Sequence, residues 1–375
     1  MTEKSFVVVF PSTFSQRKVS ELMNNIKKIL KIKQQQFNYV KKDDTVIIID
    51  ANDPVFASSA VNLLFGIKRV AIAKQVENSF DAIVSEIAKT GSNLLLKGDS
   101  FYVKIEGNAK GFLPKDLEMA ATSSIIEKST KLEAHPGTEE NHNKLLYTYL
   151  TKSNAYVCIF SDVGLGGIPY GTHKQTLLCP IFDELSAVSC IETIKQGFEV
   201  RIVIFYTKDS ELSNLVKIIN QIIPRTINEY IELEFFKIDF KRTSKNYPMY
   251  FKTIMMMMKD ISKKEKVNHI SVPISPLIFP AKNIDDLLLD FAKEKIIVYT
   301  PLGALEEEIF RNAREIGLGK FISNIDNLSK IDFSNEKIGQ NTMKDIGKKS
   351  KSVTVKIGPN NIHEILDQLI EEKKI

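Results

Sequence analysis

The sequence predicts a chain of mixed α/β and α+β class, built as three consecutive units. Residues 1–77 read in the order strand, helix, strand, strand, helix, strand, and residues 78–167 read helix, strand, helix and hairpin. From residue 168 to 375, β-rich runs alternate with helical stretches. The βαββαβ order is that of a ferredoxin-like unit. Alternation of strand and helix argues for a parallel, doubly wound sheet of Rossmann-like type with helices on both faces.

In the first unit, SFVVVF (5–10) is a short apolar strand, and Val19, Leu22, Ile26, Ile29 and Leu30 recur at helical spacing. FNYVKKDDTVIIID forms a hairpin turning at 42–44. Asp53 and Pro54 open a second helix as N-cap and first residue, Gly66 is expected to close it, and 68–76 is the last strand. In the second unit a helix over 80–90 is expected to stop at Gly91, followed by a strand over 101–107 and a helix from Pro114 to about residue 128. NKLLYTYLT and AYVCIFSD then pair through a turn at 152–154.

In the third unit the strands are LLCPI, VRIVIFY, ELEFFKI, HISVPI and IIVYT, with helices near 185–196, 210–222, 250–264 and 305–316. A lysine-rich stretch over 324–352 reads as an extended arm before a strand VTVKI and a terminal helix from about Asn361. Ligands in such sheets sit at the carboxyl ends of the strands.

With 43% hydrophobic and 26% charged residues, the 375-residue chain reads as globular, and no apolar run reaches the roughly 18 residues that span a bilayer. The amino terminus lacks signal-peptide features. A cytoplasmic protein with no membrane partner is expected. A net charge of +5 is compatible with nucleic acid, so the case rests on where the charges lie. Cys158, Cys179 and Cys190 lack CxxC spacing and the five histidines form no ligand-spaced cluster, so neither a disulfide scaffold nor a metal site is expected.

GGIPYGT (166–172) stands between the second and third units, followed by LLCPI, the six residues IFDELS (181–186) and a helix ending Lys195-Gln-Gly197. This succession resembles the tRNA 4-thiouridine synthetase family, also called thiamine-biosynthesis sulfurtransferases. There GGxPxGT precedes a strand, an SGGxDS pyrophosphate (PP) loop and a helix ending K-x-G. LLFGIKRV (63–70) resembles the family's N-terminal domain, and residues 78–167 resemble its THUMP domain, an RNA-binding module of tRNA-modifying enzymes. Residues 168–375 then correspond to the PP-loop ATP-pyrophosphatase domain. No rhodanese domain, present in some relatives, is expected.

Phosphate loops need glycines so that backbone N–H groups can approach the anion at a helix N-terminus. Aligned without a gap, only Ser186 matches the loop, while Phe182 and Asp183 replace its glycines. A register that places Asp183 on the motif's Asp needs a two-residue gap. Other ligand-bearing motifs are altered too. VKIEGNAKGF (103–112) keeps Lys104, Lys110 and Phe112 of the THUMP pattern VRxKRxxKxF, but Glu106 and Gly107 replace its central basic pair. In the helix matching YRRMMxR, Lys252 takes one arginine position and Phe251 and Met256 the others. SVPISPLIF (271–279) stands at the family's TGESLGQ loop, PLGALEEEIFRNAREIG (301–317) keeps the following helix, and the sulfur-accepting cysteine after it is missing.

The resemblance implies a tRNA-binding protein that has lost ATP-dependent uridine adenylation. Lys104 and Lys110 would face phosphates, Phe112 a base, and Gly166, Gly167, Tyr170, Gly171 and Thr172 the RNA-side turn. The bland alternatives are Phe112 as a core anchor and GGIPYGT as a linker. In the second reading the chain is an active tRNA sulfurtransferase making 4-thiouridine, and serving thiamine biosynthesis, with ATP and Mg²⁺ held by Ser186, Lys252 and the backbone of Ile204 and Phe205. A third reading is another ligand in the remodelled apolar cleft. Implied partners are tRNA and a sulfur-carrier protein or catalytic paralogue, with a homodimer left open. No catalytic residue is assigned, and enzyme activity stays open at this stage.

Overall fold

The computed structural model describes residues 4–239, 243–303, 307–322, 331, 350–357 and 361–370. It divides into two compact units, Met1–Gly167 and Ile168–Ile375.

The first unit is built on one eight-stranded sheet. Its strands are β1 (Ser5–Pro11), β2 (Phe37–Asp43), β3 (Val46–Ala51), β4 (Ile67–Glu77), β5 (Ser100–Gly107), β6 (His135–Pro136), β7 (Lys144–Leu150) and β8 (Asn154–Gly166), in the order β2-β3-β1-β4-β8-β7-β5-β6. Residues 1–77 and 78–167 are therefore joined by the long antiparallel β4–β8 ladder, which runs from Ile67 opposite Gly166 to Glu77 opposite Asn154. Its helices are α1 (Val19–Ile32), α2 (Pro54–Val61), α3 (Phe80–Leu94) and α4 (Pro114–Lys128).

Local signals set several boundaries. The Asp53 carboxylate accepts from the N–H groups of Val55 and Phe56 at 2.9 and 3.1 Å, as an N-cap should. Two glycines behave differently from the sequence expectation. Helix α2 ends at Val61, and Gly66, at φ +95°, instead turns the chain into β4. Gly91 does not stop α3, which continues to Leu94. A Cβ at Gly91 would lie 3.0 Å from Leu146 Cδ1 and 3.2 Å from Ile125 Cδ1, so the glycine lets α3 close on α4 and β7.

The two faces of the sheet are filled differently. One buries Ile83, Ile87, Leu117 and Ile125 of α3 and α4 against Val103 and Leu146. The other gathers Val8, Ile48, Ala71, Tyr147, Tyr156 and Cys158, all strand residues. A twisted sheet packs on its own side chains when it curls, and the tip of the β2–β3 hairpin reaches the β7–β8 turn. Asp43 Oδ2 accepts from Tyr156 Oη at 2.5 Å, Asn154 Nδ2 at 3.0 Å and Thr151 Oγ1 at 3.1 Å. Asp43→Ala leaves the buried Tyr156 hydroxyl without its acceptor and should destabilise the unit by about 2 kcal/mol, read from the denaturation midpoint.

The second unit carries β9 (Thr176–Ile181), β10 (Glu199–Tyr206), β11 (Tyr230–Lys237), β12 (His269–Ser271), β13 (Ile297–Tyr299) and β14 (Ser350–Lys356). They lie in the order β13-β12-β9-β10-β11-β14. The first five are parallel, as the alternating pattern predicts. The sixth corrects it: β14 runs antiparallel along β11, with Tyr230 opposite Lys356. The chain leaves β9 toward β10 and returns to β12 on the other side, so the switch point of this sheet lies between β9 and β12.

Among the described residues the helices here are α5 (Glu184–Lys195), α6 (Asp209–Ile222), α7 (Tyr247–Glu265), α8 (Ala281–Lys293), α9 (Glu307–Ala313), the one-turn α10 (Gly319–Ile322) and the expected terminal helix α11 (Asn361–Ile370). Helix α8 is absent from the sequence expectation. It begins after Pro280 with no side-chain cap, which removes the usual start signal. The expected arm over 324–352 lies almost wholly outside the described residues.

Candidate functional site

At the carboxyl end of β9, where a phosphate loop would turn into α5, the backbone is closed by side chains. Asp183 is the N-cap: its Oδ1 accepts from the Ser186 N–H at 2.9 Å. Ser186 Oγ accepts from the N–H groups of Phe182 and Asp183 at 2.9 and 3.0 Å, completing a reciprocal capping box. Tyr247 Oη donates to Asp183 Oδ2 at 2.7 Å. Three N–H groups that a phosphate would need are already satisfied, and a carboxylate stands beside them. Phe182 is 2% exposed and sets its ring edge-on to Tyr250 and Phe251, at 5.9 and 6.2 Å.

The other proposed nucleotide contacts fare no better. Ser186 is fully buried. Ile204 and Phe205 are buried within β10, in register with Ile181 on one side and Phe235 and Phe236 on the other. Lys252 is exposed on α7, where it lines a cleft of about 470 Å³ between α7 and α8. Ser186, Ile204 and Phe205 are thus gathered at the strand ends without an open donor cradle, and these residues do not fit a nucleoside triphosphate with its Mg²⁺. Among the described residues no group of three His, Cys, Asp or Glu side chains is placed to hold a metal ion.

GGIPYGT lies at the opposite end of the sheet. It precedes β9, whose six residues carry the chain about 20 Å to the closed loop. Within the first unit, Gly166 O accepts from the Gly66 N–H at 2.6 Å and Gly167 O from Ser12 Oγ at 2.6 Å. Within the second, Ile168 N–H donates to Lys195 O at 2.8 Å, and Thr172 Oγ1 donates back to Pro169 O at 2.6 Å. Tyr170 is half-buried, its hydroxyl near the Val200 N–H at 3.4 Å, and burial pushes the phenol pKa up. Gly171 adopts φ +77°. A Cβ on Gly197, which has φ +87°, would lie 2.7 Å from Ile168 Cγ2, so the K-x-G glycine is the seat on which the turn packs.

Lys104 and Phe112 lie on opposite faces of the first unit's sheet: Lys104 alternates with Val103 and Ile105 of the helix-covered face, against which Phe112 packs, and is the register partner of Tyr147 on the other. Lys104 sits between Glu139 at 2.5 Å and Glu106 at 3.6 Å, and the hydrogen bond it donates to Glu139 raises its ammonium pKa. Lys110 is exposed. Phe112 is half-buried against the α3–α4 core, edge-on to Phe80 at 5.8 Å. Sequence reading missed the groups on the neighbouring strands: Arg69 lies over the Tyr147 ring at 4.5 Å, and Tyr147 Oη donates to Glu106 at 2.9 Å. Strand alternation was the available signal, because Lys104 and Tyr147 are register partners.

The three cysteines are buried. Burial pushes the Cys158 thiol up to about 12, and Cys190 is raised by hydrogen bonding to Cys179. Glu192 of α5 is 7% exposed, with Oε1 lacking a hydrogen-bond partner. Desolvation raises its pKa, and Lys195 and Asn312 only partly oppose this. In such a group the native state keeps a proton that the unfolded chain releases above about pH 4.3, so stability falls as pH rises from there. Glu192→Gln should remove that fall and stabilise the protein at pH 7 by about 1 kcal/mol, measured as denaturation midpoints between acid and neutral pH.

No protein-family model matches the chain. Proteins named "Probable tRNA sulfurtransferase" are similar to it: that of Clostridium perfringens is 24% identical over 319 residues, and that of Clostridium kluyveri 23% identical over 310 residues, each match covering 79% of both chains. In fold it is similar to PH1313 from Pyrococcus horikoshii, with a TM-score of 0.62 and 20% identity over 84% of this chain and all of that one. It is also similar to a 4-thiouridine synthetase solved as an RNA complex with bound ATP, with a TM-score of 0.61 and 13% identity over 99% and 97% of the two chains. In sequence over about four fifths of its length the chain is similar to proteins named probable tRNA sulfurtransferase, and over nearly all of it its α/β fold is similar to that of a 4-thiouridine synthetase.

Proposed function

We propose that the protein binds tRNA and does not adenylate it. The observation that carries this reading is the capping box of Asp183 and Ser186, which occupies the N-terminus of α5 where an ATP pyrophosphate would need free N–H donors. Tyr247 fixes the carboxylate in place. Relatives named for tRNA sulfur transfer supply the RNA half of the reading. Within the first unit, residues 1–77 act as the ferredoxin-like part and 78–167 as the THUMP-type RNA-binding part; residues 168–375 form a degenerate PP-loop domain. A cytoplasmic adaptor of this kind would present tRNA to a catalytic paralogue or sulfur-carrier protein.

RNA affinity through these lysines should be modest. Lys104 must exchange Glu139 for a phosphate, and Lys110 is the more accessible cation. The test is fluorescence anisotropy of the full chain with folded tRNA and with an unstructured RNA of equal length, from about 50 to 200 mM salt. Preference for tRNA with a log-linear loss of affinity in salt is expected. Equal binding of both RNAs with no salt dependence would sink the proposal.

A further inference from the structure

In the first unit, the chain enters α1 through a tight turn that carries an exposed aromatic ring. Thr13–Ser15 form a single 3-10 turn after β1, with backbone bonds from the Ser15 N–H to Ser12 O at 2.9 Å and from the Lys18 N–H to Ser15 O at 2.8 Å. Two buried hydroxyls anchor it: Gly167 O accepts from Ser12 Oγ at 2.6 Å and from Ser15 Oγ at 3.3 Å. The Ser12 N–H donates to Gly66 O at 2.9 Å and ties the turn to the start of β4. Phe14, by contrast, is 72% exposed. A ring on so well-bonded a backbone is a rigid platform, and little freedom is lost when a partner covers it.

Cations flank that ring. Arg17 stands three residues after Phe14, the spacing at which side chains share one side of a 3-10 turn, and Lys18 follows it. Both are exposed, and among the described residues neither has a carboxylate partner. The rest of α1 adds exposed Lys27, Lys28 and Lys31 and a single carboxylate, Glu21. An aromatic ring beside unpaired cations is what single-stranded nucleic acid needs, since every base offers a face to stack and every phosphate a charge to meet. We infer that this turn is a contact for an unpaired nucleotide of RNA, with the base stacked on Phe14 and the flanking phosphates at Arg17 and Lys18. The inference rests on the tRNA reading above and adds a contact beside Gly167 of the GGIPYGT turn.

The chain contains no tryptophan, so Phe14→Trp places a single fluorophore at the contact. Titrated with folded tRNA, the full-length variant should show saturable quenching of its emission, with the midpoint that anisotropy of the same mixture gives. Phe14→Ala should weaken tRNA binding about tenfold while leaving binding of a blunt RNA duplex unchanged. Arg17→Ala combined with Lys18→Ala should reduce the slope of log affinity against log salt by about 1.5. All these side chains are exposed, so each variant should keep the wild-type melting temperature. If tRNA binds and the Phe14→Trp emission does not move, if Phe14→Ala leaves tRNA affinity unchanged or costs the duplex as much, or if the salt slope stays the same, the inference is overturned and the tRNA reading stands; a ring that serves a protein partner gives that result. Absence of tRNA binding by the wild-type chain would overturn both.

Discussion

Restoring a basic residue at position 107 should strongly destabilise the first unit rather than recover an RNA contact. The THUMP pattern has a basic side chain there, and Gly107→Arg is the obvious reversal. Gly107, however, holds φ +106°, and a Cβ added to it would lie 2.1 Å from Leu150 O, the carbonyl that accepts from the Asn108 N–H. Left-handed strain of this kind costs about 1–3 kcal/mol. A contact with fixed backbone adds about 1–3 kcal/mol of overpacking. A loss of about 3 kcal/mol or more is expected for Gly107→Arg, and Gly107→Ala should lose nearly as much because both penalties arise at Cβ. Urea denaturation of the three proteins reads this directly, and a wild-type midpoint for Gly107→Ala would contradict it. Glycine at 107 is thus required by the turn out of β5, and its presence says little about selection against RNA.

Asp183→Ala should be nearly as damaging. The substitution removes a cap contributing about 1 kcal/mol and takes the acceptor from a buried Tyr247 hydroxyl, adding about 1–3 kcal/mol. A total near 3 kcal/mol is expected, with Tyr247→Phe losing about 1–2 kcal/mol. The double variant separates the parts: Asp183 and Tyr247 in contact predict a coupling of about 0.5–3 kcal/mol, whereas independent losses would refute the shared bond. A functional phosphate loop has no reason to depend on a side-chain bond across 64 residues for its stability.

How much of this was legible in the sequence depends on the range of the interaction. The apolar run at β1, the Asp53–Pro54 helix start and the strand–helix alternation after residue 168 are local, and they placed most elements correctly. Gly91 was misread because a glycine in a helical pattern carries the same local signal whether it ends the helix or admits a neighbour; only Leu146 and Ile125 distinguish the two. The direction of β14 depends on how the chain returns to the sheet. At the candidate site, the missing glycines of IFDELS were visible in the sequence. The Asp183–Ser186 cap is local too, whereas the Tyr247 bond to Asp183 and the burial of Phe182 against Tyr250 and Phe251 join distant segments and were not visible. GGIPYGT and IFDELS are close in sequence, and the strand read between them sets them at opposite ends of the sheet.

The closed helix terminus is the central claim, and nucleotide affinity tests it most directly. Isothermal titration of Mg²⁺-ATP into the full chain, with and without saturating tRNA, should give no saturable heat, while the same preparation binds tRNA. A one-site ATP isotherm under either condition would contradict the claim.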